Sequence, residues 1–166
     1  MTPILAVPYA APRSSTDTSK LIPITTVLAP TDFSEPSDSA VRLAADLAHE
    51  YEAKLLVAHA VPPVIIPVEW SGYVDGLDDE RVNAARKQLE GQLIGSVADL
   101  QIERLVMLGW PAESIMAIVE AHKANLVVMG LTGTERPLAP RPGSTAYEVL
   151  SSAHVPVLVV PPAAAA

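Results

Sequence analysis

Three glycines and two hydroxyl-bearing residues in the C-terminal half form the pattern best suited to binding chemistry. Gly130 follows a short apolar run, Gly133 comes next, and Gly143-Ser144-Thr145 opens a segment with helical character. Glycine lets a backbone turn tightly or approach a ligand closely. The first N–H groups of a helix have no intrahelical partner and carry the positive end of its dipole. This spacing therefore predicts an anion site that holds phosphate without a lysine.

A second polar stretch follows the first apolar run of the chain. There Pro30, Thr31 and Asp32 precede Phe33 and Ser34. In open parallel α/β sheets, ligands bind outside the carboxyl ends of the strands, where the strand order reverses. We therefore expect the two stretches to border one site.

Several other kinds of site are excluded by the sequence. It contains no Gly-Lys-Ser/Thr, so a Walker A lysine is ruled out, and its glycines are too widely spaced for a dinucleotide fingerprint. It also lacks the Gly-x-Ser-x-Gly nucleophile elbow. The histidines are His49, His59, His122 and His154, and none forms the paired motif of a zinc protease. We expect no catalytic residue among them and a structural role for His59.

Five short aliphatic runs alternate with four segments of helical periodicity. The runs predict strands at 24–29, 55–60, 102–108, 126–129 and 155–160. The intervening segments predict helices at 34–52, 78–100, 111–122 and 144–153. Because a helix separates each pair of successive strands, the strands should run parallel, with helices on both faces. The sequence thus predicts an open five-stranded α/β sheet.

Length, charge and cysteine content narrow the class of protein. The 166 residues fit one domain at 22–161, with a flexible N-terminal tail at 1–21 and a short C-terminal tail at 162–166. The net charge of -8 argues against nucleic-acid and membrane-surface partners, which require clustered cations. The absence of cysteine excludes disulfides and thiolate metal sites, and it fits a cytoplasmic protein.

These features resemble the universal stress proteins, specifically their ATP-binding branch, over residues 22–161. The Gly-x2-Gly-x9-Gly-Ser set matches the nucleotide signature of that family. The remaining markers are Pro30-Thr31-Asp32-Phe33-Ser34-Glu35, His59-Ala60, Gly109-Trp110-Pro111-Ala112-Glu113-Ser114-Ile115, and the apolar runs that end at Gly130 and Val160. The resemblance implies a Rossmann-type fold, similar to the adenine nucleotide alpha hydrolases, with strand order 3-2-1-4-5.

The resemblance also implies a ligand and the residues that hold it. The ligand would be ATP with Mg²⁺, acting as a regulator or hydrolysed slowly. Asp32 would contact the ribose or the phosphate-bound Mg²⁺, Leu55 would line the adenine pocket, and backbone N–H groups at Gly133 and Gly143 would hold phosphates. The full predicted set is Pro30, Thr31, Asp32, Leu55, Met129, Gly130, Thr132, Gly133, Arg141, Gly143, Ser144 and Thr145.

The family pattern further implies a homodimer through the last strand, which contains Val157, Leu158, Val159 and Val160. An aliphatic edge of a five-stranded sheet needs some such cover. The sequence departs from the family at Asn125 and Leu131, where Asp and Ser are common. Its loop at 134–142 is rich in proline, and Arg136 and Arg141 either reach phosphate oxygens or are solvated.

The sequence leaves two other functions open. In the first, the glycines are purely structural, and the protein is a nucleotide-independent interaction module that binds a protein partner through the loop at 61–76. In the second, the protein is a phosphotransferase that phosphorylates itself on Thr132, Thr134 or Ser144. Otherwise we expect the apolar loop at 64–73 to pack against the domain. The acidic cluster of Asp75, Asp78, Asp79 and Glu80 is expected to compensate the dipole at the start of the following helix.

Overall fold

The computed structural model describes residues 2–7, 23–65, 67, 76–92, 99–133 and 142–162. Six strands form one sheet, and four helices connect the strands in the order expected for an α/β protein. The strands are β1 (Ile4–Ala6), β2 (Thr26–Pro30), β3 (Lys54–Val61), β4 (Ile102–Leu108), β5 (Leu126–Gly130) and β6 (Val157–Val160). The helices are α1 (Glu35–Glu50), α2 (Leu77–Gly91), α3 (Pro111–His122) and α4 (Ser144–Ser152).

The order of strands across the sheet is β1-β6-β5-β2-β3-β4. The five strands β2 to β6 are parallel and correspond to the five predicted strands, and their order 3-2-1-4-5 is confirmed. β2 therefore lies between β3 and β5, which are reached by connections on opposite faces of the sheet. The reversal of strand order falls between β2 and β5, and the predicted ligand loops follow these two strands.

The predicted number of strands was wrong, because the sheet has six strands and not five. β1 lies within the segment predicted as a flexible tail, and it pairs antiparallel with β6 through Ile4↔Val159, Leu5↔Leu158 and Ala6↔Val157. Three residues are too few to show a periodic pattern, and their partner lies about 150 positions away in the sequence. Pairing of this kind is set by the exposed edge of β6 and not by local sequence.

The central strands are buried on both faces, which explains their nearly continuous apolar sequences. Successive residues of β2 point to opposite faces: Val27 belongs to a core beneath α1, whereas Leu28 belongs to a core beneath α3 and α4. Both side chains are completely buried. The two cores fix β2 and β5 in the middle of the molecule and hold the site-bearing loops at one end.

The start of α1 follows from its sequence. Ser34 caps the helix by accepting a hydrogen bond from the Ser37 N–H, and Pro36 lies in the first turn. A stripe of small side chains, including Ala40, Ala44 and Ala48, lets the helix pack closely on the sheet. This close packing brings the first turn of α1 next to the ends of β2 and β5.

The end of α2 differs from the prediction. The helix stops at Gly91, whereas apolar spacing predicted helix as far as Leu100. Gln92 adopts an extended conformation (φ -68°, ψ 121°), and its side chain turns toward the start of α1. Among the residues that the structure describes, no helix is long and apolar enough to cross a membrane.

Candidate functional site

A cavity of about 750 Å³ opens at the carboxyl end of the sheet. Its walls come from the ends of β2, β3 and β5, the first turns of α1, α3 and α4, and the loops after β2 and β5. The lining residues are 30–32, 37, 58–60, 62, 111, 114, 115, 118, 129–133 and 142–147. The volume falls in the usual range for small-molecule sites.

Most of the predicted nucleotide-site residues meet in this cavity. They come from two stretches that are far apart in sequence, and strands β2 and β5 bring them together. The ten that line it are Pro30, Thr31, Asp32, Met129, Gly130, Thr132, Gly133, Gly143, Ser144 and Thr145. Of the remaining two, Arg141 lies outside the described residues, as do Arg136 and Thr134.

Leu55 is not part of the cavity, and its predicted place in the adenine pocket is corrected. Its side chain is completely buried in the core beneath α1. It is the second residue of β3, and four residues of extended chain, about 13 Å, separate it from His59 near the cavity. The residues of β3 that line the cavity are Ala58, His59 and Ala60.

The start of α4 supplies backbone donors to the cavity. The N-cap is Gly143, and no side chain caps the helix. The first hydrogen bond of the helix runs from the Tyr147 N–H to the Gly143 carbonyl, so Ser144, Thr145 and Ala146 precede the first donor that is satisfied within the helix. The Gly143 N–H itself donates to the Leu131 carbonyl at 2.9 Å. The N–H groups that have no partner among the described residues are thus those after Gly143, and the N–H of Gly143, which was predicted to hold phosphate, is already paired.

Thr132 adds an unsatisfied hydroxyl to the same part of the cavity. The residue is 3% exposed and lines the cavity, and its Oγ1 has no hydrogen-bond partner among the described residues. A buried hydroxyl without a partner costs roughly 1–3 kcal/mol. A ligand that accepts or donates a hydrogen bond here would recover that energy.

Gly133 allows Asp32 to approach the loop after β5. A Cβ atom at position 133 would lie 2.5 Å from Oδ2 of Asp32, so any larger residue would displace the carboxylate. The other carboxylate oxygen, Oδ1, accepts hydrogen bonds from the Ser34 N–H and from the Ser34 hydroxyl. Asp32 is thereby held on the β2 side of the cavity, next to the loop after β5.

His59 fixes the loop that carries Asp32. The Thr31 N–H donates to the Ala58 carbonyl at 2.8 Å, and His59 Nδ1 lies 2.8 Å from the Thr31 carbonyl. A carbonyl can only accept, so Nδ1 carries the proton in this hydrogen bond. Phe33 has a φ of 62°, and its ring centroid lies 4.5 Å from that of His59. These contacts support the structural role predicted for His59 and restrain the loop on both sides of Asp32.

Gln92 links the end of α2 to the same loop, and sequence reasoning missed it. Its Nε2 donates to Asp38 Oδ1 at 2.6 Å and to Thr31 Oγ1 at 3.3 Å. Thr31 Oγ1 also lies 3.1 Å from Ser37 Oγ. A single amide therefore joins α2, the start of α1 and the loop after β2. No sequence signal indicates this link, because Gln92 lies outside any motif.

The face of α3 that lines the cavity was also missed. Pro111, Ser114, Ile115 and Ile118 all contribute to the wall. Their spacing of three and four residues places them on one stripe of the helix, as periodicity already indicated for Ile115 and Ile118. The sequence thus contained the signal for an inward face, but not for its contact with a cavity.

Comparison with known proteins identifies the relationship. The model of the family described as "Universal stress protein family" matches residues 23–161. A universal stress protein of Methanocaldococcus jannaschii is 34% identical over 142 residues, which cover 81% of this chain and 80% of that protein. A universal stress protein of Thermus aquaticus is 30% identical over 135 residues, or 81% of this chain and 97% of that protein.

Solved structures with the same fold accompany these relatives. The universal stress protein UspA from Lactobacillus plantarum superposes with a TM-score of 0.68 at 22% identity, covering 82% of this chain and 97% of that chain. A universal stress protein in complex with cAMP superposes with a TM-score of 0.56 at 24% identity, covering 83% of this chain and 97% of that chain. At these identities the structures establish the fold.

Proposed function

The chain belongs to the universal stress protein family, and we propose that it is an ATP-binding member in which the nucleotide regulates the protein or is hydrolysed slowly. One observation carries this proposal. The unsatisfied Thr132 hydroxyl and the uncapped start of α4 lie in the same cavity, within an acidic protein of net charge -8. Together they form a local anion site that needs no basic surface.

The proposed ligand fits the two kinds of lining in the cavity. Phosphate oxygens would accept hydrogen bonds from the N–H groups of Ser144 and Thr145 and from the Thr132 hydroxyl. Apolar side chains, among them Ile115 and Ile118 of α3, would cover the faces of the base. The structural relative in complex with cAMP supports an adenine nucleotide as the class of ligand.

Asp32 fits the Mg²⁺ that would accompany the phosphates. Its carboxylate lies beside Gly133, and Mg²⁺ prefers oxygen ligands. Within the described part of the chain, no group of three or more His, Cys, Asp or Glu residues could hold a metal ion. Mg²⁺ would therefore arrive with the nucleotide, bound mainly by phosphate oxygens and water, and it would offset the repulsion between those phosphates and Asp32.

The described lining also favours regulation or slow turnover over rapid phosphoryl transfer. The residues of the described lining include no lysine or arginine that could neutralise charge on a transferred phosphoryl group. The carboxylate of Asp32 is already engaged by Ser34. Fast transfer uses a cationic clamp and a positioned base or water, and this lining offers neither.

A matched pair of glycine variants tests the proposal. Gly143 has a φ of -64°, and a Cβ there would meet its nearest neighbours at 3.7 Å or more, so Gly143→Val should fold. Its larger side chain would occupy space between Thr132 and the start of α4. Gly91→Val is the control, because no atom lies within 4 Å of a Cβ at the end of α2.

Calorimetric titration of ATP into the three proteins gives the readout. We expect saturable binding to the natural chain and to Gly91→Val, binding at least roughly tenfold weaker to Gly143→Val, and weaker binding to all three without Mg²⁺. Undetectable binding in all three proteins would favour the nucleotide-independent interaction module instead. Measurable but equal affinities would contradict the proposed place of the phosphates beside Gly143.

A further inference from the structure

Ser114 carries a second hydroxyl that faces the cavity without a partner. It lies in the first turn of α3, is 4% exposed, and lines the cavity with Pro111 and Ile118 on the same stripe of the helix. The Ser114 N–H donates to the Trp110 carbonyl at 2.9 Å. Across the described residues, no hydrogen bond is made by the Ser114 hydroxyl itself.

Four serines among the described residues, namely Ser34, Ser37, Ser151 and Ser152, do bond their hydroxyls within the fold. Ser151 and Ser152 each donate to the carbonyl four residues earlier, at 2.8 Å. The buried hydroxyl of Ser37 donates to the Ser34 carbonyl at 2.9 Å. Ser114 has a helical carbonyl at the same offset and does not use it. Because buried hydroxyls are normally paired, an unused one in a cavity wall indicates a ligand contact.

The position of Ser114 separates it from the phosphate end. The Ser114 hydroxyl lies beside Gly109, where an added Cβ would come within 2.8 Å of its Oγ, and Gly109 directly follows β4. Thr132, in contrast, follows β5. In the sheet, β3 and β2 lie between these two strands, so their ends are three strand spacings apart, about 14 Å. The Ser114 hydroxyl therefore lies on the β4 side of the site, and Thr132 lies on the β5 side.

The surroundings of Ser114 suit a flat heterocycle. Ile115 and Ile118 line the cavity beside it, and Ala58 and Ala60 of β3 contribute apolar wall nearby. His59 also lines this end, but its Nδ1 is committed to the Thr31 carbonyl and its ring packs on Phe33. Ser114 is thus the hydroxyl that can meet a polar edge at this end of the described lining.

We propose that the Ser114 hydroxyl hydrogen-bonds the purine base of the bound nucleotide and makes the cavity favour a nucleotide over a bare polyphosphate. This inference rests on the proposed nucleotide-binding function. A serine hydroxyl both donates and accepts, so it can pair with a ring nitrogen or with an exocyclic amine. In an apolar environment such a bond discriminates strongly, because the hydroxyl is left unpaired when the base is absent.

The variant Ser114→Ala isolates this contact. Alanine is a better helix former and removes only the hydroxyl, so the thermal stability of the protein should not fall. We expect calorimetry to show ATP affinity about five- to tenfold weaker than in the natural chain. The affinity for tripolyphosphate, measured by its competition with ATP, should be the same in Ser114→Ala as in the natural chain. Ser151→Ala is the control, since that hydroxyl is exposed and bonded within α4.

The outcomes separate this inference from the proposed function. Unchanged ATP affinity in Ser114→Ala, with ATP bound by the natural chain, would overturn the role of Ser114 and leave the proposed function intact. An equal loss of affinity for ATP and tripolyphosphate would overturn it as well, because the effect would then not concern the base. Failure of the natural chain to bind ATP would overturn both.

Discussion

At the residue scale, the site is marked by polar groups that the fold leaves unpaired. The hydroxyl groups in the loop after β2 and at the start of α1 are paired: those of Thr31, Ser34 and Ser37 bond to one another and to backbone groups. The Thr132 hydroxyl, in contrast, is buried without a partner among the described residues. The hydroxyl of Ser114, a residue that is 4% exposed, makes no hydrogen bond to them either. Among the described residues Gln92 Oε1 is also buried without a partner, but Gln92 does not line the cavity, so Thr132 is the unpaired buried group that a ligand in the cavity could satisfy.

Glu103 provides a prediction about pH at this scale. It lies at the amino end of β4, 2.5 Å from Lys54 Nζ and 3.7 Å from His122 Nδ1. The hydrogen bond from Lys54, with the positive charges of Lys54 and His122, lowers the pKa of Glu103 below its ordinary value of 4.5. A lowered pKa means that the native state holds the proton less readily than the unfolded chain does. The resulting stability is complete above about pH 4.5 and is lost as the pH falls through the lowered value.

We therefore expect Glu103→Gln to reduce the free energy of unfolding at neutral pH by less than about 1 kcal/mol, because the pair is partly exposed. The difference from the natural chain should shrink in acid, as measured by urea unfolding over a pH series. Glu90→Gln, at an exposed position of α2, is the control. A difference that grows as the pH falls would contradict this assignment.

At the scale of elements, β1 changes the expectation for assembly. It occupies the outer edge of β6, the strand predicted to pair with a second copy. Its side chains are poorly covered: Ile4 is 58% exposed and Leu5 is 56% exposed. An edge strand held by three residue pairs is a weak cover for a longer apolar strand. The predicted homodimer through β6 therefore requires that β1 leave its place.

Deletion of residues 2–7 should expose the edge of β6 and increase self-association. We expect analytical ultracentrifugation to show a larger dimer fraction for the deletion than for the intact chain at the same concentration. Leu5→Thr retains the backbone pairing and a strand-forming side chain, so it should behave as the intact chain does. An unchanged mass distribution after the deletion would show that β1 does not control this edge.

The elements could be predicted where local signals act alone. The predicted bounds of α3 agree with the structure at both ends. Pro111 favours a helix start, the apolar stripe continues to Val119, and His122 is a basic residue in the last turn. α2 was predicted too long, because the apolar spacing in the sequence continues past Gly91. In the structure Gln92 is extended, and its side chain donates hydrogen bonds to Asp38 and Thr31. Contacts of that kind, between residues more than 50 positions apart, are set by packing and leave no periodic trace in the sequence.

At the scale of the whole molecule, an acidic chain confines its attraction for anions to one end of the sheet. Topology places β2 beside β5, and this brings Asp32 next to Gly133. The site residues in the loops after β2 and β5 could be predicted from their residue types and their spacing in the sequence. Leu55 was placed wrongly, because neither the inward side of β3 nor its distance from the cavity follows from resemblance. Ser114 was missed because only the packing of α3 brings its hydroxyl to the cavity.

The central claim is that ATP binds in this cavity with its phosphates at the start of α4. The most direct test is a titration of the ¹⁵N-labelled protein with ATP and Mg²⁺, followed by two-dimensional NMR. We expect five amide signals to shift most and to saturate at one equivalent of nucleotide: those of Thr132, Gly133, Ser144, Thr145 and Ala146. A spectrum unchanged by millimolar ATP, or shifts confined to residues outside the cavity, would contradict it.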